Sequence, residues 1–457
     1  MIIYKSLLYI LIPILSGIFL THLIWQERDS KSILLKVFLG TGIGIGVNSL
    51  FYFIYLLLFN HRSGYFIFQI SYLIILVIII FFREKNALRS FKNFVLPSRL
   101  QIFFLAITGV MITFALSIFF TTATRNLYGQ WDAWAIYNRT ARFIFRGDVQ
   151  WKNAFSPELD GSFHADYPPL IALNVASGWD ALNKENSYIP MIIGGVFLFG
   201  CVGLLFSGLS MYKNLGQASL ATGMLLSVTG YVKMGAAQMT DIPLSFFILA
   251  TGILLFVYSI KKQKELLVLA GLVVGLASWT KNEGIIFMLA SSFALLLVYR
   301  SRLSKILPWY LLGSILPITI VVLFKTTLAP SGDLFVDLPQ QIYQAINLSR
   351  HQEILKSFWS NVMSWGNWQL LVLYMLFLGI NVDNKNKSAI KIVFIMFILQ
   401  LAAYYSIFLI TPHPLTWHLS TALSRILLQV VPLFFFLYFS IVKAPEKIFE
   451  TIKVDRE

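Results

Sequence analysis

Long, charge-poor apolar runs leave this 457-residue chain few ways to fold. Crossing the hydrocarbon core of a bilayer takes about 20 apolar residues, and run after run here reaches that length. They lie near residues 4–24, 34–58, 65–82, 101–121, 189–210, 218–232, 242–260, 266–279, 285–299, 306–327, 367–382, 391–410 and 426–442. The expectation is an all-α membrane protein, a polytopic helical bundle of about 13 spans. Composition agrees: 57% of residues are hydrophobic and 12% charged, where a soluble domain carries about a quarter charged. Residues 4–24 have the length of a full span, no small-residue cleavage site and basic residues after them. They read as the first span and not as a signal peptide.

The formal charge of +15 would suit a nucleic-acid partner, but lysine and arginine concentrated in cytoplasmic loops account for it better. Arg83, Lys85, Arg89, Lys92 and Arg99 crowd one loop, which fixes that side as cytoplasmic. Alternation then collects Lys213, Lys261, Lys262, Lys264, Arg300, Arg302, Lys305, Lys385, Lys387 and the tail cations Lys443, Lys447, Lys453 and Arg456 on the same side. Nucleic acid is therefore not expected as a partner; membrane lipids are. The loops 121–188, 233–241, 280–284, 328–366 and 411–425 fall on the extracytoplasmic side. Cys201, the single cysteine, lies in a span, so no internal disulfide is possible.

No internal repeat or soluble domain interrupts the pattern, so one membrane domain is expected. It divides into N-terminal spans (1–120), an extracytoplasmic loop with interfacial helices (121–188), central spans (189–327), a second outer loop (328–366) and C-terminal spans with a cytoplasmic tail (367–457). From Ala133 to Arg146, Trp134, Tyr137, Ala141, Ile144 and Phe145 recur at helical spacing, with Asn138, Arg139, Arg142 and Arg146 opposite. That spacing predicts a helix lying in the membrane interface. A second is expected from Pro169 to Leu182, with proline in its first turn. The stripe Arg139, Arg142 and Arg146 suits either anionic headgroups or a solvated face.

The first outer loop opens Tyr128-Gly129-Gln130-Trp131-Asp132-Ala133-Trp134 and closes His164-Ala165-Asp166-Tyr167-Pro168-Pro169. Two roles fit Asp132. It could cap the helix at 133, which aspartate favours, or it could take a proton in catalysis, since a cap needs no flanking tryptophans. Those tryptophans also suit an aromatic belt.

Four stretches together resemble the GT-C class of membrane glycosyltransferases, which includes protein O-mannosyltransferases and the lipid A aminoarabinose transferases. They are Trp131-Asp132-Ala133-Trp134, His164 through Leu170, Thr240-Asp241-Ile242-Pro243-Leu244, and Trp279-Thr280-Lys281-Asn282-Glu283-Gly284. The resemblance spans roughly residues 100–300, with Trp417-His418-Leu419 through Arg425 added near the end. It implies an inverting transferase that moves a sugar from a polyprenyl-phosphate donor to an acceptor hydroxyl or amine at the extracytoplasmic face. A bacterial inner membrane is the location it suggests. Asp132 would be the general base. The departing lipid phosphate needs cations where water is scarce. Lys281, Arg425 and His418 are the candidates, each with a structural alternative: a snorkelling lysine, a paired arginine, a structural histidine.

Trp131, Trp134, His164, Asp166, Tyr167, Asp241 and Glu283 are the expected substrate contacts. Asp166 also suits a turn, or a cation site with His164. Asp241 also suits a helix cap, and Glu283 a partner for Lys281. Tyr167 stands where aminoarabinose transferases carry lysine before Pro-Pro, which removes a phosphate ligand from that position. No cofactor is expected. His413 and His418 lack zinc spacing, although carboxylates leave room for a divalent cation. Two other classes compete. A lipid-linked sugar flippase would place charges at mid-membrane, often on inverted repeats. An O-antigen polymerase or ligase would carry a large arginine-bearing loop in its later half, and 328–366, with Arg350, His351 and Glu353, matches that poorly.

Overall fold

The computed structural model describes residues 1–84, 97–159, 161–332, 334, 337–366 and 368–446. Lys85, Arg89, Lys92, Lys447, Lys453 and Arg456, all expected at the cytoplasmic side, lie outside them. Among the described residues the protein is helical, with one isolated bridge between Ile380 and Val442. Eight helices are long and apolar enough to cross a membrane, or nine when the pair Leu415–Leu428 and Val431–Ile441, bent by 45°, is taken as one span. They include α1 (Ile2–Ile24), α2 (Ser30–Phe59), α3 (Tyr65–Glu84), α4 (Arg99–Arg125), α7 (Tyr188–Tyr212), α10 (Asp241–Lys261) and α17 (Lys387–Ile410).

The expected thirteen is not reached by that measure, for a physical reason. The stretches near 218–232, 266–279 and 367–382 form shorter helices: α8 (Leu215–Ser227) with α9 (Thr229–Ala236), α11 (Lys264–Ser278) and α16 (Trp368–Leu378). The apolar stretch Asn282–Thr327 is a hairpin. Its arms α12 (Asn282–Tyr299) and α13 (Leu303–Thr327) return so that Lys325 Nζ donates to Asn282 Oδ1 at 2.8 Å.

Burial grades outward from α10, whose membrane-length window is buried throughout, to α3 and α4, buried over only 17%. Helices in lipid gain nothing by hiding apolar surface from tails that are equally apolar, so close backbone approach decides their packing. The pairing of α11 with α13 shows it: a Cβ on Gly271 would sit 2.0 Å from Tyr310 O, and one on Gly313 1.9 Å from Val268 O. The second outer loop contributes α14 (Leu338–Ala345) and α15 (Leu348–Ser364).

The first outer loop departs from expectation at its first helix. Its helix does not run unbroken from 133: a π-helical turn occupies Ala133–Tyr137, and α5 follows at Asn138–Gly147. Such turns are rare and often mark functional positions. The second expected helix, α6 (Leu170–Leu182), is enclosed by protein. Leu170 through Trp179 are all buried, because α6 is packed among α1, α2 and α5. Its buried Asn174 and Ser177 are satisfied there, by Asn48 and by Tyr9.

Candidate active site

The strap that holds Asp132 is fixed by its neighbours. Gly129 has φ +76, and a Cβ there would meet Ala133 Cβ at 2.5 Å and Ala237 O at 2.6 Å. Only glycine accepts both conditions. Gln130 N donates to Ala237 O at 3.1 Å, Asn138 Nδ2 to Gln238 Oε1 at 3.2 Å, and Thr240 Oγ1 to Tyr137 OH at 2.5 Å. These bonds fasten residues 130–138 against the turn that begins α10, so Asp132 and Asp241 become neighbours.

Asp132 is not a helix cap. Its backbone is already helical and its side chain accepts no capping bond. Instead Oδ2 takes Arg425 Nη1 at 2.7 Å, across 293 residues of sequence. Arg425 lies in Leu415–Leu428, which carries a second π-helical turn at Leu419–Leu423. Its Nε is buried and unpartnered among the described residues.

Beside this pair sits a second, buried ion cluster. Asp241 lies in the first turn of α10, as expected, but its carboxylate serves side chains. Oδ1 accepts Lys281 Nζ at 3.2 Å and Gln429 Nε2 at 2.6 Å, and Oδ2 is unpartnered. Gln429 in turn accepts from Tyr404 OH at 2.5 Å. Lys281 lies 2.8 Å from Glu283 Oε1 and 5.9 Å from the centre of the Tyr167 ring. Burial alone would push Lys281 down, but the carboxylates of Asp241 and Glu283 outweigh it and hold it well above the usual lysine range. Lys281 is therefore a charge enclosed by protein, not a lysine snorkelling to water.

A third group clamps the loop. Lys325 Nζ donates to Asp166 O at 2.5 Å and to Asn282 Oδ1, and Asn282 Nδ2 donates to Asp166 Oδ2 at 2.8 Å. This ties the segment before Pro168-Pro169 to the α12–α13 hairpin. Asp166 thus shapes the turn through side chains, and it does not line the cavity described next.

The groups surround a cavity of about 460 Å³, lined by Trp131, Asp132, His164, Tyr167, Lys281, Glu283, His413, His418 and Arg425 among others. His418 Nδ1 is 2.7 Å from Thr411 Oγ1. It shares the cavity with Arg425, as their two-turn spacing anticipates. His164 (φ +43) stacks on Tyr167 with ring centres 4.5 Å apart. Trp134 stacks edge-on to Trp131 at 6.0 Å but lines a separate groove, because a π-helical turn does not keep residues 131 and 134 on one face. Asp241 is buried at the cavity's back and not on its wall.

Among the described residues no group of three or more His, Cys, Asp or Glu side chains could hold a metal ion. The arginine stripe is not a bare solvated face either. Arg139 stacks on Phe163 at 3.9 Å, while Arg142 and Arg146 share Glu185. Sequence reasoning missed Lys325, Asn282, Gln429 and Tyr137. The signal for the first and third was present, since a lysine and a glutamine at the ends of apolar spans are costly without partners.

Residues 186–324 match the model of a family described as dolichyl-phosphate-mannose-protein mannosyltransferase. The matched segment covers less than a third of the chain and includes Asp241, Lys281 and Glu283. Among solved structures the chain is similar to ArnT from Cupriavidus metallidurans bound to undecaprenyl phosphate, at 14% identity and a TM-score of 0.47. The alignment takes in 73% of this chain and 59% of that one. No curated protein is matched. The family match agrees with the resemblance that the motifs carry over the same stretch.

Proposed function

We propose that the protein is an inverting membrane glycosyltransferase that moves a sugar from a polyprenyl-phosphate donor to an acceptor in the extracytoplasmic leaflet or beyond it. One observation carries the reading. Asp132, the acid of the first outer loop, is not a cap but lines a cavity, with Arg425 against it and Lys281 and His418 in the same walls. The family description and the undecaprenyl phosphate of the similar structure support a lipid-phosphate donor.

On this reading the acceptor hydroxyl or amine attacks the anomeric carbon and Asp132 takes its proton. The C–O bond to phosphate breaks, and the lipid phosphate leaves with the bonding pair. Arg425 and His418 receive the phosphate's charge. Arg425 is available for this because one carboxylate oxygen is its only charged partner within ion-pair distance among the described residues. Lys281, enclosed by Asp241 and Glu283, sets the field behind them. The acceptor, whether lipid, glycan or protein, is left open.

Purified protein incubated with radiolabelled polyprenyl-phosphate sugar and candidate acceptors tests the reading. Sugar release by wild type and not by Asp132→Asn is expected. Lipid movement across the bilayer that survives the substitution would instead identify a flippase.

A further inference from the structure

A second concavity, about 970 Å³, lies on the other side of the strap from the cavity. Trp131 lines one and Trp134 the other, so the strap is the wall between them. The groove is lined by four cations, Arg125, Arg142, Arg146 and Lys184, against one acid, Glu185. Arg146 holds Glu185 through two bonds of 2.5 and 2.9 Å, and Arg142 reaches the same carboxylate at 3.5 Å. One carboxylate cannot neutralise both. Among the described residues, Arg125 and Lys184 have no carboxylate within ion-pair distance.

The groove's depth is fixed by the spans. Ile2 begins α1, Arg125 ends α4 and Tyr188 begins α7, and all three residues line it. Three spans therefore leave the hydrocarbon at its floor, while α5 supplies Arg142 and Arg146. A site bounded by span ends sits at the level of lipid headgroups. An unbalanced set of arginines and lysines there is suited to phosphate, which arginine grips in a bidentate way. Tyr128 and Trp134 add the amphipathic rings that favour the same depth.

We infer that this groove binds the phosphate of an outer-leaflet lipid headgroup, at a site distinct from the cavity. The inference needs neither Asp132 nor sugar transfer, so it stands or falls separately from the proposed function.

Protein released from phosphatidylcholine nanodiscs containing a minority of phosphatidylglycerol, and weighed intact by native mass spectrometry, tests it. Wild type is expected to retain phosphatidylglycerol in preference to phosphatidylcholine. Arg125→Gln combined with Lys184→Gln removes the two cations that have no carboxylate partner among the described residues, so the ion pairs seen there are spared. It is expected to cut that preference by about fivefold per cation. The charge-conserving pair Arg125→Lys with Lys184→Arg is expected to restore it, and Asp132→Asn to leave it unchanged. Retention unaltered by the neutral pair would overturn the inference. So would displacement of the lipid by an equal concentration of inorganic phosphate, since the groove would then read free phosphate and not a headgroup.

Discussion

Both ends of the helical bundle carry buried or half-buried ion clusters, and only one of them surrounds a cavity. At the end assigned to the cytoplasm, Lys261 pairs with Glu27 and reaches Asp29 at 3.8 Å, and His22 meets Glu84 at 2.5 Å. Lys36 donates to the Glu27 carbonyl and lies 5.2 Å from the Trp25 ring, whose Nε1 donates to Gln263. Glu27 Oε2 is buried and unpartnered here, but neither the cavity nor the groove reaches this cluster. At the other end the unpartnered atoms lie beside the cavity. Asp241 Oδ2 and Arg425 Nε are buried and unpartnered, and Asp132 and Arg425 form one wall of the cavity. An ion cluster alone does not mark a site. A cluster with unspent hydrogen-bonding capacity beside an empty volume does, because buried polar groups are otherwise satisfied.

The sharpest way to break this contrast is Asp132→Asn. Loss of a general base is expected to lower transfer about 100- to 10,000-fold, with the thermal unfolding midpoint close to that of wild type. A large drop in the midpoint would make Asp132 a structural partner of Arg425. Next comes Lys281→Met, which leaves Asp241 and Glu283 without their shared cation. Removing one partner of a buried ion pair costs about 3–5 kcal/mol, to be read from denaturant unfolding, and Asp241→Asn added to it is expected to recover part of the loss. Equal loss of activity without loss of stability would place Lys281 on the substrate instead.

Glu27→Gln at the opposite end is expected to cost about 1 kcal/mol, since both Glu27 and Lys261 are partly solvated, and to leave activity per folded molecule unchanged. A change in that activity would couple the two ends and erase the contrast.

The smallest effect belongs to the groove rim. Hydrogen bonding to Arg146 holds Glu185 below the usual glutamate range. A depressed carboxylate stabilises the fold above its unfolded value of about 4.3 and loses that contribution as pH falls through the folded value. The midpoint difference between wild type and Glu185→Gln should therefore hold from pH 7 down to about 4.3 and shrink only as pH falls below that, measured in detergent by scanning fluorimetry.

Much of the bundle was legible because apolar length is a local property. The helices fall on the expected stretches, and the apolar runs reveal their ends. The π-helical turns at 133–137 and 419–423 were not legible, because the same residues fit an α-helix until the tertiary packing selects the wider turn. That Trp131 and Trp134 line different concavities follows from the first of these turns. Lys281 was noticed but not its enclosure: the turn is visible in Thr280 to Gly284, whereas Asp241 reaches it from another helix. Lys325 was counted only as part of a span, because nothing nearby in sequence announces that the hairpin returns it to Asn282 and Asp166.

Apolar run length determined by itself that the chain is a helical membrane protein. Which acid meets which cation was decided by the fold alone. Asp132 and Arg425 are 293 residues apart, and their contact depends on how α10, the strap and the last bent helix pair pack together. Such long-range contacts follow from backbone approach between helices, which no local pattern of residues encodes.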